Sequence, residues 1–245
     1  MLRTIKNKIR NRLWVLLKAR WTLLSGIQVT VADDSDWFVY NEIFANKEYD
    51  AAIRLFLAQK ISNPVILDLG ANVGYFSTKV ADELLISGTM DFHITAVEAS
   101  SANFATLQQR MSQPMLRSKI NCHFGLAGYR EGSAKFASSS EHYGHSVSSV
   151  TAGADSVSYL DVEKLIPPGR KPDFLKCDIE GSEEVFIEQY LELLKSVSVA
   201  VFEFHAGDCD VDNCKKMLAA AGLHSRGVVK EEKRYRTTVE IFSRS

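Results

Sequence analysis

The sequence lacks a long apolar run near its start and any paired C-x-x-C spacing. Within the first 24 residues the longest apolar run is Leu13–Leu17, which is too short for a membrane span or a signal-peptide core. The unpaired spacing of the cysteines favours free thiols in a reducing compartment over disulfides or a zinc site. We therefore expect a cytoplasmic protein with four free thiols, namely Cys122, Cys177, Cys209 and Cys214.

The chain also lacks a charge excess of either sign. Its 245 residues carry a formal net charge of −1, with 46% hydrophobic and 24% charged residues. This composition is typical of a globular protein with one large domain, or one domain and an appendage. It excludes a molecule that binds nucleic acid through its overall charge, so we expect no nucleic-acid partner.

The first twenty residues contain no acidic residue. Lys and Arg alternate there with apolar residues at helical spacing, which predicts a basic amphipathic helix over residues 1–24. We expect this helix to pack on the domain; the first alternative is peripheral contact with the anionic inner face of a membrane, and the second is local binding of nucleic acid. We divide the chain into residues 1–60, the helix and a cap, and 61–245, the main domain. The apolar stripe consists of Ile5, Ile9, Leu13, Leu16 and Leu17, flanked by Trp14 and Trp21.

A glycine-containing turn organises the main domain, but it lacks the third glycine of the dinucleotide fingerprint. Val65–Leu69 is predicted to be a buried strand, and Gly70 and Gly74 are predicted to form a turn after it. The residues that follow are predicted to form an amphipathic helix. Asp68, just before the first glycine, suits an ammonium group better than a pyrophosphate. The motif D-x-G-x-N-x-G therefore favours S-adenosylmethionine over NAD. The alternatives are a turn without a ligand and an NAD-linked oxidoreductase.

From Ile61 onward strands and helices alternate, which predicts an α/β fold with a mostly parallel sheet. Glu98 ends the second strand of this series, where a carboxylate can accept hydrogen bonds from both ribose hydroxyls. Leu126 and Ala127 follow the third strand and can line an adenine ring. The predicted cofactor-binding residues are Asp68, Gly70, Ala71, Asn72, Gly74, Tyr75, Phe76, Glu98, Ala99, Leu126, Ala127 and Asp178.

A second group of charged residues follows two later strands. Lys176, Asp178 and Glu180 alternate, so we expect them on one side of an extended strand. Glu203 and His205 alternate in the same way on the next strand. Buried charges are costly unless they pair or act on a ligand, so the group predicts either a local ion network or a functional site. We favour the functional site, because ligands bind at the carboxyl ends of such strands.

Several local predictions complete the analysis. Residues 33–36 are interpreted as an acidic turn, and Ser182 as the cap of the following helix. Residues 138–158 are predicted to form a loop over the sheet. We expect His142 and His145 to be solvated side chains of this loop; the alternatives are metal ligands or catalytic bases. The last two strands predict a hairpin, with residues 230–236 as its solvated turn.

Taken together, these motifs resemble the FkbM family of S-adenosylmethionine-dependent methyltransferases. The resemblance covers roughly residues 38–242 and rests on LDLGANVG, VEA, LKCDIEGSE and FEFH. Cys177 and Ala99 depart from the commoner residues of the family. Membership implies a seven-stranded Rossmann-like class I methyltransferase fold, here with an N-terminal helical extension, and usually O-methylation. Acceptors in the family are sugars of surface glycans or glycolipids, and natural products.

Methyl transfer from a sulfonium to a hydroxyl needs in-line alignment and profits from a general base. We expect Asp178 near the methyl donor and His205 as the base or as a group that orients the acceptor. Lys176, Glu180 and Glu203 would hold the acceptor or tune the bases. A divalent metal bound by Asp178, Glu203 and His205 is an alternative to metal-free transfer, and a non-catalytic cofactor-binding module is an alternative to an enzyme.

Overall fold

The computed structural model describes residues 19–136 and 155–244. The strands, in chain order, are β1 Arg20–Thr22, β2 Gln28–Thr30, β3 Val65–Leu69, β4 His93–Glu98, β5 Ile120–Phe124, β6 Ser133–Phe136, β7 Asp155–Ser158, β8 Phe174–Cys177, β9 Val199–His205, β10 His224–Glu232 and β11 Thr237–Ser243. The described α-helices are α1 Asp34–Tyr40, α2 Asp50–Leu57, α3 Tyr75–Ile86, α4 Ser101–Met111, α5 Glu183–Gln189, α6 Leu191–Leu194 and α7 Val211–Ala220. A π-helical turn, Asn41–Ala45, and a 3₁₀ turn, Val162–Leu165, complete them.

Seven strands form one sheet in the order β10-β11-β9-β8-β3-β4-β5. The five strands from β9 to β5 run parallel, whereas β11 pairs antiparallel with both β9 and β10. All five residues of β3 are buried, as expected for a central strand covered on both faces. The predicted α/β fold with a mostly parallel seven-stranded sheet and a C-terminal hairpin is confirmed.

The segment before the sheet packs into the same core as the strands. The Phe56 ring of α2 stacks on Phe174 of β8 at 4.8 Å between centroids, and Phe76 of α3 meets Phe174 at 5.7 Å. Burying one such side chain contributes about 1.5–3 kcal/mol. This packing holds α2 on the face of the sheet that α3 also covers. The division at residue 60 stays a prediction.

Some local predictions are wrong. Residues 33–36 are not a free turn: the Asp33 side chain caps α1 by accepting from the Asp36 N–H at 2.9 Å. Asp36 is buried, and its carboxylate forms an ion pair with Arg110 at 2.6 Å inside the fold. Residues 155–158 form β7 rather than loop, because they pair with β6. The remainder of the predicted loop, with His142 and His145, lies outside the described residues.

The N-terminal prediction is tested only at its end. Residues 1–18 lie outside the described residues, and Arg20–Thr22 form a strand paired with β2 instead of continuing a helix. Among the described residues no helix combines the length and the apolar character that crossing a bilayer requires. The four cysteines are free thiols, as predicted.

Candidate functional site

Two cavities open side by side at the carboxyl edge of the sheet. The first, here called the glycine cavity, is lined by Gly70, Asn72, Val97, Glu98, Ala99, Asn103, Gly125, Leu126, Ala127, Asp178, Ile179 and Glu180. The second, the carboxylate cavity, is lined by Val39, Glu42, Ile43, Tyr49, Ala71, Asn72, Tyr75, Phe76, Lys176, Asp178, Glu180 and Glu203. Asn72, Asp178 and Glu180 line both, so the two cavities meet at these residues.

A larger groove of about 560 Å³ lies at the opposite edge, where β3 and β4 begin. Its lining has Lys60 and Asp91 as its charged residues, and no group of titratable side chains converges there. Size alone therefore does not identify the site. The carboxyl edge is the better candidate, because buried charges meet there and because open α/β sheets bind ligands at this edge.

The two predicted glycines serve different contacts. Gly70 has φ +73°, and a Cβ on it would lie 1.7 Å from the carbonyl oxygen of Asp178, so only glycine lets β8 end this close to β3. Gly74 has φ +89°, and a Cβ there would lie 2.7 Å from Leu107 Cδ1 and from Met111 Cε. Gly74 thus permits close packing of α3 on α4, and it lines neither cavity.

Glu98 presents a fixed carboxylate to the glycine cavity. One oxygen accepts the Asn72 N–H and the other the Ser100 N–H, both at 2.7 Å. Burial raises the pKa of Glu98 to about 7, although these two backbone donors act to lower it. Each oxygen has a second lone pair, so the side chain can accept hydrogen bonds from a vicinal diol while its position is held. The apolar remainder of the cavity includes Leu126 and Ala127.

Asp68 lies below the cavities and lines neither. Its side chain has no solvent exposure, accepts from the Ser77 hydroxyl at 2.6 Å and lies 3.8 Å from the Lys176 ammonium. The ammonium group that Asp68 contacts is therefore one of the protein's own. Lys176 also donates to the Gly70 carbonyl at 2.6 Å and pairs with Asp178 at 3.1 Å. Burial lowers the pKa of Lys176, but Asp178 and Asp68 outweigh burial and raise it above its usual value.

His205 is held between two carboxylates. Its Nδ1 lies 3.1 Å from Glu183 Oε1 and its Nε2 lies 3.2 Å from Glu180 Oε2. Burial lowers the pKa of His205, but the two hydrogen-bonded carboxylates prevail and raise it to about 12. The imidazole is therefore a cation at neutral pH, with both nitrogens engaged. Our expectation that His205 is a general base does not agree with this geometry, because a base needs a free lone pair.

The Glu183 carboxylate organises the turn after β8. It is fully buried, and Oε1 accepts the N–H groups of Ile179 at 3.2 Å and Gly181 at 3.1 Å. Ser182, predicted to cap α5, makes no capping hydrogen bond through its hydroxyl. Glu180 has φ +54°, so it leaves the line of the strand, and the predicted row of three charges ends at Asp178.

Glu203 is the carboxylate of this region with no bound partner. Within the described residues its side chain makes no hydrogen bond and no ion pair, while it lines the carboxylate cavity. Burial raises the pKa of Glu203 to about 8, and the neighbouring Asp178 adds to the shift. The pKa of Tyr49 also rises well above its usual value, through burial and through the carboxylates of Glu203 and Asp178. A neutral or newly charged Glu203 at physiological pH suits proton transfer.

Sequence reasoning missed Glu42 and Lys230. Lys230 of β10 pairs with Glu42 of the π-helical turn and, at 3.2 Å, with Glu48. The sequence predicts a solvated turn over residues 230–236, but β10 continues through Lys230 to Glu232. The pKa of Lys230 is raised because Glu42 and Glu48 outweigh the effect of burial. No local signal links residues 42 and 230, since they are far apart in the chain.

One further group has the composition of a metal site. Asp178, Glu180 and His205 each place a ligand atom within 4.8 Å of the others. The sequence had suggested Glu203 in place of Glu180. His205 already pairs with Glu180 and Glu183, so the ion pairs satisfy this group without a metal.

Most predicted residues reach one of the two cavities. Gly70, Ala71, Asn72, Tyr75, Phe76, Glu98, Ala99, Leu126, Ala127, Lys176, Asp178, Glu180 and Glu203 line them. Asp68, Gly74 and His205 line neither cavity. Asp68 pairs with Lys176 and His205 pairs with Glu180, and both partners line a cavity. Gly74 lets α3 pack closely on α4.

No protein-family model matches the chain. The hexuronic acid methyltransferase AglP of Haloferax volcanii is 26% identical over 175 residues, which cover 70% of this chain and 68% of AglP. A solved FkbM methyltransferase from Methylobacillus flagellatus has TM-score 0.52 at 14% identity, covering 98% of this chain and 59% of that protein. Magnesium protoporphyrin IX methyltransferase ChlM from Synechocystis, solved with bound S-adenosylmethionine, has TM-score 0.51 at 12% identity, covering 99% and 96%. The chain thus has the Rossmann-like fold of class I methyltransferases.

Proposed function

We propose that the protein is an S-adenosylmethionine-dependent O-methyltransferase of the FkbM type, acting on a sugar hydroxyl. The observation that carries the proposal is the junction of the two cavities at Asp178, between a fixed diol acceptor, Glu98, and an unpartnered carboxylate, Glu203. The likeness in sequence to a hexuronic acid methyltransferase supports a sugar acceptor. The shared fold with methyltransferases supports the cofactor.

The residues of the glycine cavity fit S-adenosylmethionine. The Glu98 oxygens would accept the ribose hydroxyls, and Leu126 and Ala127 would contact the adenine ring. Asp178 would face the positively charged end of the cofactor, with its side chain oriented by Lys176. When bound, the cofactor supplies an electrophilic methyl group on a sulfonium.

The carboxylate cavity would place and activate the acceptor. Glu203 would accept the proton of the attacking hydroxyl, because it is the carboxylate there without a partner. Lys176 would hold the Asp178 side chain in place. His205 would act as a positioning residue, because its cation holds Glu180 at the junction of the cavities. Correct placement alone can supply much of the rate of such a displacement.

Transfer of a labelled methyl group from S-adenosylmethionine to a panel of glycan precursors tests the proposal. We expect labelled product from the wild-type protein and a loss of at least about a hundredfold in Asp178→Asn, because its carboxylate faces both substrates. S-adenosylhomocysteine should still bind to the variant in calorimetry. Binding of NAD without binding of S-adenosylhomocysteine would contradict the proposal.

A further inference from the structure

The charge of the carboxylate cavity restricts the acceptor. Its lining carries four carboxylates, from Glu42, Asp178, Glu180 and Glu203, against one ammonium, from Lys176. These groups converge from three separate segments of the chain, so the negative charge is a property of the fold rather than of one acidic stretch. A ligand that enters this cavity meets carboxylate oxygens on several sides.

Three cations near the cavity, all among the described residues, each have at least two acceptors. Lys176 contacts Asp178 at 3.1 Å and the Gly70 carbonyl at 2.6 Å. Lys230 pairs with Glu42 and Glu48, and both nitrogens of His205 face carboxylates, at 3.1 and 3.2 Å. Within residues 19–136 and 155–244, Lys176 is the only lysine, arginine or histidine that lines the cavity, and Asp178 and the Gly70 carbonyl already occupy its ammonium.

A hexuronate would therefore place its carboxylate among like charges without a counter-ion. Juxtaposed like charges in a partly desolvated site repel one another and weaken binding. The hydroxyls of an uncharged sugar, in contrast, are donors, and the cavity offers acceptors, including the unpartnered Glu203. The two classes of acceptor thus differ in charge, and the carboxylates of the cavity favour the uncharged one.

We propose that the acceptor is an uncharged, polyhydroxylated sugar ring and that Glu42 and Glu203 exclude hexuronates. This inference rests on the proposed methyltransferase function and narrows it. It separates the chain from AglP, a hexuronic acid methyltransferase, although the two are similar in sequence. Glu42 is a specificity-determining residue here, because it both lines the cavity and occupies Lys230.

Matched acceptor pairs test the inference. At pH 9, where Glu203 is ionised, the full chain is given S-adenosylmethionine and the methyl glycosides of glucose, galactose and mannose, each beside its uronic acid counterpart. We expect at least one neutral glycoside to be methylated, with kcat/KM at least about a hundredfold above that of its uronate. Equal or faster methylation of a uronate would overturn the inference. So would methylation of no neutral glycoside by a protein that binds S-adenosylhomocysteine.

A pair of variants locates the cause. Glu42→Gln removes a cavity carboxylate and releases Lys230, so we expect the preference for the neutral glycoside to shrink at least about fivefold. Glu48→Gln removes the other partner of Lys230 but does not line the cavity, and should leave the preference within about twofold. Equal effects of the two variants would overturn the role of Glu42. Failure to bind S-adenosylhomocysteine in calorimetry, with no methyl transfer to any acceptor, would instead refute the proposed function itself.

Discussion

The two cavities at the carboxyl edge differ in how the chain builds them. The glycine cavity draws mainly on the ends of β3, β4 and β5, which follow one another in sequence as short motifs. The carboxylate cavity joins Glu42 of the π-helical turn, Asp178 after β8 and Glu203 of β9. Lys230 of β10, which does not line the cavity, holds Glu42 in place through an ion pair. The first cavity is a local structure, and the second exists only when the whole sheet has formed. Variants should therefore affect cofactor binding and acceptor chemistry separately.

The variant Glu203→Gln should separate catalysis from cofactor binding more strongly than any other. Loss of a general base lowers kcat by about 10²–10⁴-fold, whereas the affinity for S-adenosylhomocysteine should stay within about twofold, because Glu203 lines only the carboxylate cavity. Steady-state kinetics and calorimetry measure the two quantities. Glu184→Gln is the control: it lines neither cavity and holds the start of α7 through Asn213 at 2.8 Å. An unchanged kcat in Glu203→Gln would remove the base from our mechanism.

Gly70→Ala should damage both cavities at once, because Gly70 lies where β3 meets the turn after β8. The new Cβ would collide with the Asp178 carbonyl, and we expect a loss of about 4 kcal/mol in the free energy of unfolding. Gly169→Ala has the same φ of +73° and no atom within 4 Å, so it should cost only the backbone strain, about 1–2 kcal/mol. Urea unfolding measures both. Equal losses would show that the close approach of β8 is not what requires Gly70.

His205→Gln should have an intermediate effect on the rate of methyl transfer, through the carboxylate cavity. The wild-type rate should rise with pH through about 8, because Glu203 must lose its proton to act as a base. The His205 cation lowers the pKa of Glu203, so its removal should move this inflection to higher pH and reduce kcat about tenfold at pH 7. Complete pH–rate profiles of both proteins provide the measurement. A profile with an unmoved inflection would mean that His205 has only a structural role.

An effect of similar size is expected on cofactor binding in the glycine cavity. Glu98 accepts hydrogen bonds best as a carboxylate, and its pKa lies near 7, above the usual value for a glutamate. Protonation below that pKa should therefore weaken binding of S-adenosylhomocysteine about tenfold between pH 8 and pH 6. Glu98→Gln should bind more weakly at pH 8 and show little dependence on pH. Calorimetry at the two pH values checks this, and a pH-independent wild type would place the ribose elsewhere.

The same difference between the cavities explains which site residues can be predicted from the sequence and which cannot. Gly70, Glu98 and Leu126 each stand at the end of a recognisable strand, so their common edge follows from the topology of a parallel sheet. The pairing of Lys230 with Glu42 had no such signal, because it depends on tertiary contact across most of the chain. His205 was recognised as a site residue, but its charge state was not, since Glu183 and Glu180 set it only after the turn at Glu180 is formed.

A crystal structure of the protein with bound S-adenosylhomocysteine is the most direct test of the division between the two cavities. We predict that the ribose hydroxyls lie on the Glu98 carboxylate and that the sulfur faces Asp178, with the carboxylate cavity left open beside it. A nucleoside found in the carboxylate cavity, or in the groove at the opposite edge of the sheet, would contradict the assignment of both cavities.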